Sequence, residues 1–477
     1  MPRGGFARSA SADGRARRPA PGVLLAAGMI GVALLAPTSA AGEDVTPKVS
    51  PDLIEDVPST KPDPFPAFDN FAWRAFVALA WPALTDPAHR GEPDRAKALG
   101  EPGPRVWETF KSRYEMFQRG PDGRALAPAE WDSYEGVNPC GPGLDNRTKT
   151  LASFAPFADF NQASFTAGKF LSPLIAQNRT YTRYEVRINE AEFDSIVDHG
   201  WFRREMLPTL QAPAQFNVGS IAVKAAWRIL TDAETPAIRS RYYVVTGAEV
   251  VDVAKSLAAG KPVCAARDVA LVGLHIAVKT KYRPQWLWST FEHVDNVPPV
   301  GGGAAREPDA KDAGAPYSFN NPALEQSEIA PPADSPLAQP VGPGNPPRID
   351  PEPMQVIRKH PINAETMAMN RAYWSLPEIR GTVWAHYMLV ATQWPTVTQP
   401  PTPQNDGVYF PGLRIDPLTP AEPYQIAAEN GAPAENLVNV TMETYAQDLP
   451  SSCMACHQAV SNALGRGFVA ILPDANP

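Results

Sequence analysis

Near the end of the chain, Cys453-Met454-Ala455-Cys456-His457 sets two thiols three positions apart, with an imidazole beside the second. Each thiol can add across a vinyl group of haem and leave a thioether. The neighbouring imidazole then rises from the same turn and takes one axial position on the iron. This spacing is the pattern of covalent haem attachment. Two other chemistries compete for the same side chains. Zinc wants four tetrahedral ligands, usually from two spaced pairs, and the remaining cysteines, Cys140 and Cys264, stand alone. A thioredoxin-like dithiol sits near a βαβ pattern, and the residues before Cys453 show none. One covalent haem, with its iron, is the reading the spacing favours. A zinc site and a dithiol or structural disulfide are the alternatives.

The other end of the chain bears on where such chemistry would happen. Arg3, Arg8, Arg15, Arg17 and Arg18 face a single acid, Asp13, and an apolar run from Val23 to Ala36 follows. Pro37-Thr38-Ser39-Ala40-Ala41 then supplies small residues. Basic head, short apolar middle and small-residue end make a secretory signal, cleaved after Ala40 or Ala41. The apolar run is short for a bilayer span, so membrane contact is expected only in transit, with a permanent anchor as the alternative. No cysteine precedes Cys140, which excludes lipid attachment at a processed N-terminal cysteine. The Arg17-Arg18 pair lacks the surroundings of a twin-arginine signal and reads as ordinary head charge. The expected location is the periplasm, which permits disulfides. Cys140 in Asn138-Pro139-Cys140-Gly141-Pro142 and Cys264 in Pro262-Val263-Cys264 both have loop-like contexts. A Cys140–Cys264 bridge is the favoured use of this pair, and two buried free thiols are the alternative.

In its five motif residues and its export signal, the chain resembles bacterial exported monohaem c-type cytochromes. The resemblance implies haem held through Cys453 and Cys456, proximal ligation by His457, and attachment after translocation. It covers no more of the chain than that. In the class I cytochrome c fold, a haem-wrapping domain with its methionine ligand lies after the motif. Here 20 residues follow His457 and no methionine follows Met454. The haem pocket must therefore be finished by residues upstream. Candidates for the sixth iron position are Met442, Met388, His275, His293 and His386. Methionine would raise the potential, and an open sixth position would allow ligand chemistry. A gap-filling core methionine and ordinary hydrogen-bonded histidines are the competing roles for these residues.

Charge and composition narrow the class. Positions 1–40 hold five of the 43 basic and one of the 51 acidic residues, so the processed chain carries an acidic excess of 12. Such a chain is a poor candidate for nucleic acid. It suits an exported redox partner of basic charge, although dispersed surface charge is the commoner meaning. Length disfavours a simple shuttle, since haem transfer alone needs far fewer residues. A single motif argues against dihaem peroxidases and dihaem rubber oxygenases. No hydrolase triad, phosphate loop or second metal constellation is evident. Electron transfer is the leading expectation. A haem enzyme of peroxidase or oxygenase type, or a ligand-binding haem protein, is the alternative.

The elements that must position the motif read as α+β. Residues 1–40 are the signal, 41–66 an extended leader, 67–297 an α+β body, 298–353 a proline-rich linker or wrapping loop, and 354–477 a haem-bearing region packed on the body. The chain holds 54 prolines, about twice the usual share, and long ordered loops are expected. Helical spacing predicts a helix from Phe68 to Ala80, with Asp69 in its first turn. Trp107, Phe110, Tyr114 and Phe117 predict a second core-packing segment. Strands are predicted at Thr182–Ile188, Gly219–Leu230, Arg241–Val251, Val269–Thr280 and Gln285–His293, with a short helix at Glu190–His199. Their spacing predicts an antiparallel sheet.

One pair is predicted as a hairpin turning at Lys281–Pro284. Val272, Leu274, Ile276 and Val278 then share one face, and Gly273, His275 and Ala277 the other. A register centred near Tyr282 pairs His293 with Leu271 and puts it on the face of His275. The small residues at 273 and 277 would leave room there for a flat macrocycle. Further on, a helix is predicted at Glu365–Ser375 with Asn363 as cap. Trp384, His386, Met388 and Val390 would share one strand face. A short helix at Leu437–Gln447 would carry Met442, and Ser452 would cap a C-terminal haem-attachment helix. The fold is expected to be more than a class I cytochrome c fold alone.

Overall fold

Residues 45–53, 56–57, 65–153, 157–163, 172–209, 214, 216–281, 283, 286–298, 316–324, 339–342, 344–394, 439–445, 447 and 457 are described in a computed structural model. The signal segment, Tyr282 of the expected turn, Ser452, Cys453 and Cys456 lie outside the described residues.

In chain order the strands are β1 (Lys111–Ser112), β2 (Gln118–Arg119), β3 (Ala125–Leu126), β4 (Thr150–Leu151), β5 (Arg183–Ile188), β6 (Ile221–Ile229), β7 (Val244–Val251), β8 (Cys264–Val278), β9 (Leu287–His293) and β10 (Tyr387–Gln393). Among the described residues, eight of them form one sheet and β2–β3 form a separate ribbon. The ladders of the sheet are antiparallel except β4 on β7. The 15-residue β8 is its spine. One edge of β8 pairs with β6, and the other is divided between β7 at residues 264–270 and β9 at residues 273–278. This is a mixed helix and strand architecture around an antiparallel sheet, in keeping with an α+β class.

One face of the sheet is covered by the helix Phe65–Leu79 and the helix Ala364–Trp374, the latter capped by Asn363 on the Glu365 amide. Phe68, Phe71, Phe76 and Leu79 join Val223, Leu274, Ile276, Phe291 and Leu389 in the largest core cluster. Trp73 stacks on Tyr373 at 4.8 Å and donates its indole N–H to Asn370 at 2.9 Å. Asp69 has another role than first-turn charge. It is fully buried and accepts hydroxyl bonds from Thr366 and Thr392, both at 2.7 Å. Burial pushes its carboxyl up to about 7, although both hydroxyls oppose the shift.

Residues on both sides of the proline-rich stretch share this sheet and this core, because β10 pairs β9 and Tyr373 packs on Trp73. The described pieces of 298–353 lie on the body. Phe319 and Val341 enter a core cluster, and Val341 exchanges backbone bonds of 2.7 and 2.8 Å with the Asn161 side chain. Cys264, at the start of β8, is disulfide-bonded to Cys140, with 5.3 Å between the Cα atoms.

Three expectations are corrected in detail. The segment 383–393 is not one strand: Val383–His386 is a 3₁₀ turn and β10 begins at Tyr387. The described part of 437–447 runs in turns instead of a helix. Val272 leaves the face of Leu274. Gly273 pairs with Ala226 and Leu271 with Trp227, so Val272 is an extra residue in β8, a bulge that switches the alternation. Leu271 and Leu274 consequently share the largest cluster, while Val272 belongs to another.

Candidate functional site

The face of the sheet away from the two helices carries the candidate site. Pairing puts Gly273, His275 and Ala277 of β8 on this face beside Ala226, Lys224 and Ala222 of β6. On the other side stand Glu292, Thr290 and Trp288 of β9. One end of the face is packed by the cluster containing Ile188, Ala277 and Trp288. The other end is packed by the cluster containing Tyr184, Ala226 and Val272. His275, Lys224 and Thr290 occupy the row between.

His457 lies against this face. Its ring sits 4.3 Å from the Trp288 ring, tilted by 39°. Trp288 is two positions from Thr290, the pairing partner of His275, so His457 and His275 are brought over neighbouring parts of one surface. The His275 side chain is 15% exposed, and its Nε2 stands 3.5 Å from a Glu443 carboxylate oxygen without making a hydrogen bond. Burial pushes the Glu443 carboxyl up, but His275 and Lys224 beside it outweigh burial and hold it below the usual carboxylate range. The Lys224 ammonium donates to the Gln162 carbonyl at 3.2 Å.

His293 is not on this face. The ladder pairs His275 with Thr290 and Gly273 with Glu292, one residue away from the expected register. The connection between Val278 and Leu287 has eight residues, and its last, the buried Trp286, takes φ 71°. That left-handed turn sets where β9 begins. His293 therefore falls beyond the β8 ladder, stacked on Tyr242 at 3.8 Å. Its Nε2 donates to the Arg241 carbonyl at 3.0 Å, and its Nδ1 accepts the Asp295 amide at 3.1 Å. With both nitrogens engaged, the ring has no lone pair left for iron in this arrangement. His386 ends the 3₁₀ turn, 6.1 Å from His293 between ring centres. Met388 belongs to the largest core cluster.

The space above Gly273 is filled. A side chain there would meet Thr441 Oγ1 at 2.2 Å and the Asn439 amide group at 3.2–3.3 Å. Glycine in this strand marks the close approach of another segment, not an opening for a macrocycle. Residues 439–445 cross the sheet at this point. Asn439 donates to Thr290 Oγ1 and to the Phe291 carbonyl, both at 2.9 Å. The Val440 amide donates to Glu292 at 2.7 Å, and Tyr184 donates its hydroxyl to the Thr441 carbonyl at 2.7 Å. Glu292 is also paired with Arg358.

The same crossing places Met442, 1% exposed, in the cluster at the Val272 end of the face. Trp288, which holds His457, pairs with Ala277 at the other end. Four residue steps of strand separate Gly273 from Ala277, ~13 Å at the usual rise. The pairing places His275 beside the Trp288 row that His457 touches, and Met442 in the core cluster that contains Val272. Glu443, Trp288 and the 439–441 crossing escaped the sequence reading. Gly273 in mid-strand was the one signal that pointed to the crossing.

Among the described residues, no group of three or more His, Cys, Asp or Glu is arranged to hold a metal ion. The residues present suit a haem in one respect: an enclosed imidazole, His275, with Glu443 beside it, stands on the surface that His457 touches. Comparison with protein-family models, curated proteins and solved structures finds no match to this chain.

Proposed function

We propose that the chain is an exported c-type haem protein that transfers electrons in the periplasm. Cys453 and Cys456 hold one haem through thioethers, and His457 is its proximal ligand. The observation that carries this reading is the Cys453–His457 motif, supported by the seating of its histidine on Trp288 beside His275. The haem supplies a one-electron couple. The protein's part is to seat His457, to shield the group from water and to offer a sixth ligand. His275 is the residue we assign to the distal side. Met442 would have to leave its core cluster to serve, and His293 would have to surrender two hydrogen bonds. The C-terminal residues around the motif form the haem-attachment helix in this reading. The N-terminal segment directs export and touches the membrane only in transit. The acidic excess of the processed chain favours a basic exported redox partner.

A second reading rests on Glu443 beside His275. A carboxylate next to a distal imidazole suits a five-coordinate haem that activates or binds a ligand. That reading makes the chain a peroxidase- or oxygenase-type enzyme, or a ligand-binding haem protein. Spectra of the oxidised and reduced protein, with and without carbon monoxide, separate the two. Electron transfer predicts a low-spin reduced form that ignores carbon monoxide. A high-spin form that binds it contradicts electron transfer and supports the second reading.

A further inference from the structure

A cavity of about 1060 Å³ lies beside the start of β7, against the loop 100–105 and Trp384. This volume is at the upper limit of small-molecule sites. Its walls Tyr243 and Trp384 belong to the largest core cluster, on the other face of the sheet from Trp288 and His457. The cavity is therefore separate from the candidate haem site.

The cations of its wall are not equivalent. Lys149 is neutralised by Glu108 at 2.8 Å and Glu185 at 2.7 Å. Arg187 is paired with Glu185 at 2.7 Å. At the rim, Arg239 is paired with Asp268, and the exposed Arg147 has Asp145 at 3.8 Å. Arg105 differs. It is 4% exposed, and among the described residues its guanidinium meets no carboxylate. It donates to the carbonyls of Ala80 and Leu99 at 3.3 and 3.2 Å and of Glu101 at 2.6 Å. Its Nε is enclosed and makes no hydrogen bond, and the guanidinium lies beside the Tyr243 hydroxyl, which donates to Glu108. The guanidinium also lies over Tyr243 and Trp384, 5.2 and 5.7 Å from the ring centres. Aromatic faces and carbonyls lower the cost of burying this charge, but a counter-ion lowers it further.

We propose that the cavity binds a small organic carboxylate. The carboxylate pairs with the Arg105 guanidinium, whose Nη2 keeps one N–H beyond the bond to Glu101. The apolar body lies along Tyr243, Val383 and Leu84. This site stands whether or not the chain carries haem, because Tyr243 and Trp384, over which Arg105 lies, belong to the cluster on the opposite face of the sheet from Trp288 and His457.

The test is titration calorimetry on the full exported protein, as purified, with benzoate, succinate and neutral benzamide as probes. Saturable binding of benzoate or succinate is expected, with benzamide weaker than benzoate by roughly tenfold or more. Arg105→Gln should abolish the preference for benzoate over benzamide. Arg105 also supports the fold, so a second variant is needed. Thr246→Trp introduces bulk from an exposed position on the cavity wall. It should remove binding while leaving the far-ultraviolet dichroism unchanged. Three results would each overturn the proposal: no saturable heat with either carboxylate, equal affinity for benzoate and benzamide, or unchanged binding in a folded Thr246→Trp variant.

Discussion

An enclosed imidazole nitrogen that makes no hydrogen bond costs free energy unless something else meets it. His275 Nε2 is enclosed with the Glu443 carboxylate 3.5 Å away, and the sheet brings the ring towards His457. The sequence pattern predicts His293 on the same surface, but the ladder takes it elsewhere and both its nitrogens are engaged. These two histidines make different predictions. If His275 completes the iron's coordination, His275→Ala should turn a low-spin reduced spectrum into one that responds to carbon monoxide. An unchanged spectrum removes His275 from the distal side.

His293 should instead show itself in stability. Burial, with His386 nearby, drops its imidazole to about 3, and the opposing pull of Asp295 does not reverse this. The folded ring stays neutral while the unfolded ring takes a proton below about 6.5. Its contribution is therefore complete above that pH and is lost as the pH falls towards 3. Denaturation midpoints of the protein and of His293→Gln, compared across this window, should show a shallower acid decline in the variant. Equal slopes would contradict the assignment.

At the scale of elements, hydrophobic period exposed most of the architecture. The helix Phe65–Leu79 shows its core positions at helical spacing, and its start is set only three residues earlier than the pattern implies. β5, β6, β7 and β9 fall within their apolar, β-branched runs, each within a few residues of the expected ends. What periodicity could not carry was register. A two-residue period says which side chains share a face but not how many residues the connection spends, and Trp286 decides that by its left-handed backbone. The bulge at Val272 was hidden for the same reason, since an extra residue in a strand leaves an apolar run looking regular.

Gly273 is the point where this hidden geometry can be tested. Thr441 is held over it by a 2.6 Å bond to Asn439, so it cannot step aside without breaking that turn. Gly273→Ala should lower the unfolding free energy by about 1–3 kcal/mol, the usual cost of overpacking. Chemical denaturation reads this directly, and a variant as stable as the parent would show that 439–441 does not press on the strand.

At the scale of the whole molecule, the crossing at 439–445 ties a segment that precedes Cys453 in sequence to the sheet. Its partners come from β5, β8, β9 and the Glu292–Arg358 pair, which are far apart in sequence. Such contacts have no local signature, so the sequence does not reveal them. The Cys453–His457 pattern was legible because it is local, five consecutive residues. The face that receives His457 was not, because it is assembled by pairing across four strands.

The central claim is that two sulfurs, Cys453 and Cys456, become bonded to one haem. It is tested most directly by the intact mass of protein made in a maturation-competent host, denatured and extracted with acidified organic solvent. The account predicts a coloured polypeptide heavier by one haem, and Cys453→Ala/Cys456→Ala at the plain polypeptide mass. A colourless parent chain at the plain polypeptide mass would contradict it.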